Sequence, residues 1–166
     1  MKTNLLLSRK TSLLFLLLLA LSQQLFSQAF IDAKLPNITV LGTSANRAPN
    51  GTSAHTTFRA HFIIPASEAT ALLANGTIIK RLGFVFSSGV NSAASGQIKI
   101  YLENTSNTTN TKSTSWATAI TAMTEVYNGV YNLPIGSSTA QDVIFNLTNN
   151  FTYTGQGLYV AYDYIG

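Results

Sequence analysis

Cysteine is absent from the 166 residues, which removes disulfide staples, thiolate metal sites and thiol nucleophiles together. A chain without staples must hold itself by packing area alone. Charge is scarce, at 10% of residues, and ten Lys/Arg against six Asp/Glu give a formal +4. Three of those cations, Lys2, Arg9 and Lys10, belong to the first ten residues. Without them seven cations face six anions, a balance of +1, so the clustered basic face of a nucleic-acid binder is missing. Past residue 10 only Lys80 and Arg81 adjoin, and they read as a solvated spot on a strand.

Histidine amounts to His55 and His61, neither with an acidic partner at a spacing that forces proximity. No Gly-x-Ser-x-Gly elbow and no phosphate-cradling glycine loop occurs. The carboxylates Asp32, Glu68, Glu103, Glu125, Asp142 and Asp163 are scattered, which leaves no calcium-binding loop. A glycosidase pair held across a sugar cleft would require Glu103 to meet Glu125 or Asp163 through the fold; the simpler reading is solvated charges on strand faces. The sequence therefore offers no catalytic residue, no metal-ligand set and no cofactor motif.

Long hydrophobic runs are confined to 13–21, almost unbroken Leu, Phe and Ala. A positive start precedes this run and small residues, Ser27 and Ala29, follow it, so residues 1–28 read as a secretory signal peptide. A spanning helix needs about 20 apolar residues, and Ser22, Gln23 and Gln24 interrupt the run too early. No integral membrane span is expected, and the protein is expected to be secreted or held at the cell surface.

What remains is rich in Thr, Ser, Asn and Gly, the vocabulary of strands and turns. Residues 29–56 read as an irregular lead-in holding one short strand at 37–41, and residues 57–166 as one β-sandwich domain. Thr57 to Ile64 alternates Phe58, Ala60, Phe62 and Ile64 against Thr57, Arg59 and His61, and Pro65 ends it. Residues 66–74 form the one helical candidate, with Ser67 placed to cap it, Glu68 near its positive end and Asn75-Gly76 after it. Residues 77–87 carry apolar groups on both sides and read as a central strand.

The cleanest alternation is 97–103, with Ile98, Ile100 and Leu102 inward and Lys99, Tyr101 and Glu103 outward. A polar connection over 104–115 follows, too hydrophilic to bury itself. Asn128-Gly129 signals a tight turn or a bulge. Residues 143–148 and 158–164 read as two strands of a final hairpin, with Gly155 and Gly157 suited to a turn of positive φ. About seven or more strands with one short helix, and no strand–helix alternation, predict an all-β, antiparallel, jelly-roll-like sandwich. The chain stops at a strand, which reads as the front part of something longer.

Four pieces in order, Gln97-Ile98-Lys99-Ile100-Tyr101-Leu102-Glu103-Asn104-Thr105, Trp116, Val126-Tyr127-Asn128-Gly129 and Phe151-Thr152-Tyr153-Thr154-Gly155-Gln156-Gly157-Leu158-Tyr159-Val160-Ala161, extend a likeness over 57–164. Together they resemble a β-sandwich module of exported Bacteroidetes proteins, often found with a type IX secretion sorting domain. Gln156-Gly157 stands where that pattern usually has Gly-Asn. The resemblance implies a surface or released multidomain protein with adhesive or substrate-binding roles, and it implies no catalytic residue.

Aromatics are the best pointer to function. Tyr101, Trp116, Tyr131, Tyr153 and Tyr159 could form an exposed platform, since their rings combine apolar faces with polar tips suited to glycan or protein contact. Packing in the sheets, with Trp116 as a core plug, is the competing reading. The expectation is a non-catalytic extracellular or cell-surface binding or adhesion module of a larger exported protein. Its partners would be a glycan or a surface protein and further domains of the same polypeptide. The alternatives are an accessory domain of an exported polysaccharide- or protein-degrading hydrolase, and a spacer.

Overall fold

Side chains on an extended chain point alternately to opposite faces, so 57–64 must present Phe58, Ala60, Phe62 and Ile64 to one side. In the computed structural model, which describes residues 57–86, 95–132 and 141–166, this stretch is strand β1 (Thr57–Ile64). Helix α1 (Ala66–Leu72), β2 (Ile78–Phe86), β3 (Ser95–Thr105), helix α2 (Trp116–Ala119), β4 (Thr124–Asn132), β5 (Gln141–Thr152) and β6 (Gly157–Ile165) follow. Six strands and two helices thus stand among the described residues, where about seven strands and one helix were expected. The expected signal peptide at 1–28, the lead-in with its strand at 37–41, and His55 lie outside the described residues. No helix among the described residues is long and apolar enough to cross a membrane.

One sheet has the order β1-β6-β3-β4 and the other pairs β2 with β5, all antiparallel. The pairs β3–β4, β2–β5 and β1–β6 nest as though one long hairpin had been rolled up, the jelly-roll arrangement. Ile98, Ile100 and Leu102 of β3, Leu158, Val160, Tyr162 and Tyr164 of β6 and Phe145 of β5 join one buried cluster. Phe58, Phe62, Leu82 and Phe84 pack against it from β1 and β2. Each such side chain contributes about 1.5–3 kcal/mol when fully withdrawn from water, which is how a chain lacking disulfides is held.

The expected final hairpin does not form. β5 pairs with β2 in one sheet, and β6 lies between β1 and β3 in the other. The cause is β6 itself: Leu158 through Tyr164 are all buried, those on both faces included, and a strand apolar on both sides needs neighbours along both edges and cover on both faces. The turn between β5 and β6 is therefore a passage from one sheet to the other. Gly155 there has φ +78°, as expected. Gly157 does not take positive φ; its constraint is space. A Cβ there would stand 3.1 Å from the Thr105 carbonyl oxygen and 3.2 Å from that of Ile64, because β6 enters between β3 and β1. Gly157→Ala is expected to cost about 1–3 kcal/mol as an overpacked site, read as a lower urea midpoint with unchanged slope; an unaltered midpoint would refute the crowding.

Other local expectations are also corrected. α1 ends at Leu72 rather than 74, and Pro65 stands at its N-terminal cap position with no side-chain capping bond, so Ser67 is not its cap. The helix lies against β6, and Ala69 is its buried residue. Among the described residues β2 has β5 as its only strand neighbour, so it is not central. Asn128-Gly129 lies inside β4 and makes no turn. The bulge sits earlier, where Ile100 faces Tyr127 but Tyr101 faces Glu125, leaving Val126 as the extra residue. The bulge lets Val126 and Tyr127, although consecutive, both reach the core.

A larger irregularity in β5, between the pairs Ile79–Phe151 and Arg81–Asn146, carries its middle toward β4. Thr148 Oγ1 donates to the Val126 carbonyl at 3.1 Å and Asn149 Nδ2 to the Glu125 carbonyl at 3.0 Å. Side chains from the other sheet thus satisfy part of an edge that would otherwise invite another strand.

Candidate functional site

The four-stranded sheet turns its second face away from the core, and strand register sets out what stands there. One row across it reads Arg59, Asp163, Lys99 and Asn128; the next reads His61, Ala161, Tyr101 and Glu125; the third begins Ile63, Tyr159 and Glu103. Arg59 Nε donates to Asp163 Oδ1 at 3.0 Å, with the Asp163 side chain nearly covered and that of Arg59 47% exposed. The guanidinium carbon also lies 5.6 Å from the centroid of the Trp116 ring, a cation–π contact. Tyr101 meets the same ring edge to face at 6.1 Å. Arg59, Tyr101 and Trp116 thus form one cluster built from β1, β3 and α2.

Electrostatics within the cluster are set by burial and by Glu125. Burial, then the Glu125 charge and its hydrogen bond to the phenol, push Tyr101 up to about 12. Tyr101 is therefore a neutral donor to Glu125 across the physiological range. Asn128 Nδ2 approaches the same carboxylate at 3.4 Å. The fold does bring Glu103, Glu125 and Asp163 to one face, but each is engaged: Glu103 in an ion pair with Lys112, Glu125 with Tyr101 and Asp163 with Arg59. Among the described residues no group of three His, Asp or Glu is placed to hold a metal ion.

The polar connection over 104–115, read from sequence as too hydrophilic to bury itself, is laid across this face. Tyr159 on β6 receives it: Asn107 Nδ2 and the Thr111 N–H each donate to the phenol oxygen at 3.0 Å. Thr111 Oγ1 lies 3.1 Å from that oxygen, and the phenol reaches the Thr109 carbonyl at 3.2 Å. Asn110 Nδ2 contacts His61 Nδ1 at 3.0 Å and donates to the His61 carbonyl at 3.2 Å. Lys112, besides pairing with Glu103, stands 4.9 Å from the Tyr159 ring centroid. A segment with no apolar side chains can cover a sheet because its hydrogen bonds are matched one by one.

The five rings expected as an exposed platform are not one. Tyr131, Tyr153 and Tyr159 are 0–1% exposed and Tyr101 is 8% exposed. Tyr131 belongs to the inner core, 5.5 Å from the Phe145 ring and 5.7 Å from that of Tyr164. Tyr153 closes the passage after β5, its hydroxyl on the Gln156 carbonyl. Tyr159 sits beneath the 106–112 segment. Large strand aromatics bury because their area is most useful there. Trp116, by contrast, is half-buried and stands outside the core cluster, so it is no core plug.

Arg59, Glu125 and Asp163 were the members of this cluster that sequence reasoning missed as a group. The parity of Arg59 and Asp163 was visible, since each alternates with inward residues, but the lateral alignment of all three depends on register between strands far apart in the chain. No protein-family model matches the chain, and neither a curated protein nor a solved structure does.

Proposed function

We propose that this domain is a non-catalytic binding module working outside the cell, and that it takes carbohydrate at the Arg59–Trp116–Tyr101 cluster on the outer sheet face. One observation carries the reading. The only tryptophan of the chain is kept out of the core and set beside a half-exposed guanidinium and a row of polar side chains. A sugar ring offers an apolar C–H face and a rim of hydroxyls. An aromatic ring flanked by planar donors and acceptors answers both demands, as recognition sites generally combine apolar walls with few placed polar groups. The sequence reading of 1–28 as a leader and the resemblance to exported Bacteroidetes modules support an extracellular setting, and the jelly-roll frame by itself assigns no ligand.

The test uses Trp116 as its own reporter. Emission is followed while cellohexaose, mannohexaose or chitohexaose is added, and a saturable change is expected with at least one. Trp116→Ala is expected to weaken retention on the matching immobilised glycan about tenfold or more, the loss of an aromatic anchor worth at least about 1.4 kcal/mol. Silence with all three sugars, or unchanged retention of the Trp116→Ala variant, would overturn the assignment.

A further inference from the structure

Trp116 begins a helix of only four residues, and Ser115 before it makes no side-chain capping bond. One helical turn cannot fix its own orientation, so the placing of the ring must come from its flanks. Downstream, Ala119 is buried and Met123 N–H bonds the Ile120 carbonyl just ahead of β4. Upstream, the segment is stiffened by short local bonds: Lys112 N–H to Asn110 Oδ1 at 3.1 Å and Ser115 N–H to Ser113 Oγ at 3.1 Å. It is tied to the sheet chiefly at Tyr159.

We propose that the Tyr159 hydroxyl is the positioning group of the candidate sugar site, a pin that holds the 106–115 segment on the outer face and thereby sets Trp116 beside Arg59 and Tyr101. This rests on the binding role given above to Trp116. The oxygen is saturated: two donors, Asn107 Nδ2 and Thr111 N–H, a hydroxyl neighbour in Thr111 and an acceptor in the Thr109 carbonyl gather on it. Burial works to raise the ionisation of this phenol, yet the bonds from Thr111 and Asn107 with the charge of Lys112 outweigh it and lower it. The donors therefore converge on the oxygen tightly enough to govern its chemistry. Asn107 Nδ2 also donates to Thr111 Oγ1 at 2.8 Å, so removing the phenol oxygen strands one donor, the part-buried Thr111 N–H, a state relieved by the segment lifting into water. When it lifts, Trp116 goes with it.

The experiment compares Tyr159→Phe with the wild type in the whole chain. The ring and its contact with Lys112 persist; only the hydroxyl is lost. Hydrogen exchange at the Thr111 amide is expected to accelerate about tenfold or more, the size set by one stranded donor. Acrylamide quenching of Trp116 should rise about twofold with the far-ultraviolet spectrum unchanged, and affinity for the responding hexasaccharide should fall. Tyr131→Phe is the control, because that hydroxyl is buried and without a partner among the described residues; it should alter neither readout. Should Tyr159→Phe fail to fold, Asn107→Ala removes one donor from the same oxygen at an exposed position and should shift both readouts in the same direction, by less. Unchanged Thr111 exchange and Trp116 quenching in the folded variant overturn the pin. Those readouts need no ligand, so a wild type blind to all three sugars defeats the binding role and leaves the pin standing. A pin that fails while Trp116→Ala still abolishes binding does the reverse.

Discussion

Tyr162→Ala is expected to destabilise the domain by about 3–5 kcal/mol, the loss met when a large buried aromatic is cut back to a methyl. Tyr162 is 2% exposed at the middle of β6, facing Ala60 across one edge and Ile100 across the other. Its ring stacks on Phe58 at 5.8 Å within its own sheet and meets Phe84 of the opposite sheet edge to face at 5.4 Å. It is thus one of the rings through which the two sheets touch, with Tyr131 against Phe145 another. The neighbours are themselves strand residues held by ladder hydrogen bonds, so they cannot collapse into the space, and the cavity term adds to the lost burial. Against a reserve of about 5–15 kcal/mol, such a loss leaves the domain marginal. Urea denaturation followed by circular dichroism measures it, with Ile144→Ala as the comparison: Ile144 is an exposed β5 residue and should cost no more than about 0.5 kcal/mol. A Tyr162→Ala loss below 1 kcal/mol would mean that the two sheets are not joined there.

The second large effect is alkaline unfolding. Burial raises the ionisation of Tyr101, to about 12, and also that of Tyr131, Tyr153, Tyr162 and Tyr164. In the unfolded chain tyrosine ionises near 10. A group raised in the fold contributes stability that is complete below about pH 10 and is lost as pH climbs through the folded value. Tyr101 alone surrenders about 2 kcal/mol by pH 12, where it is itself half-ionised in the fold, at about 1.4 kcal/mol per unit. Four further phenols move the same way, so their losses add to it, and alkaline unfolding is expected as pH climbs above about 10. Tyr159, lowered in the fold, opposes this as a single group. Absorbance at 295 nm should therefore rise in one steep step that coincides with loss of the β circular dichroism signal. A gradual tyrosine titration centred near pH 10, with the sheet signal intact at pH 12, would contradict the burial.

Both effects turn on β6, and β6 shows how far the sequence could be read. Its apolar run was legible, as was the turn chemistry of Gly155. Its partners were not. Nearness along the chain favoured β5, whereas the demand for cover on both faces was met by β1 and β3, about 100 and 60 residues away along the sequence. Local pattern carries no term for that competition, because cross-strand pairing is decided by what else can be buried at the same time. The same limit applied to 104–115. Its composition excluded a hydrophobic core role, but hydrogen bonds matched to Tyr159 and His61 gave it a place that hydropathy cannot register.

The order of residues alone determined that the domain is all-β, that Phe58, Ala60 and Phe62 share one face and Ile98, Ile100 and Leu102 another, and that no thiol is present. These follow from a period of two and from composition, which any extended chain must obey. Tertiary structure decided which strands became neighbours, which tyrosines were spent on the core and that Trp116 came to lie beside Arg59. Those outcomes depend on register between distant segments, and register is chosen by the burial of the whole molecule rather than by any stretch of it.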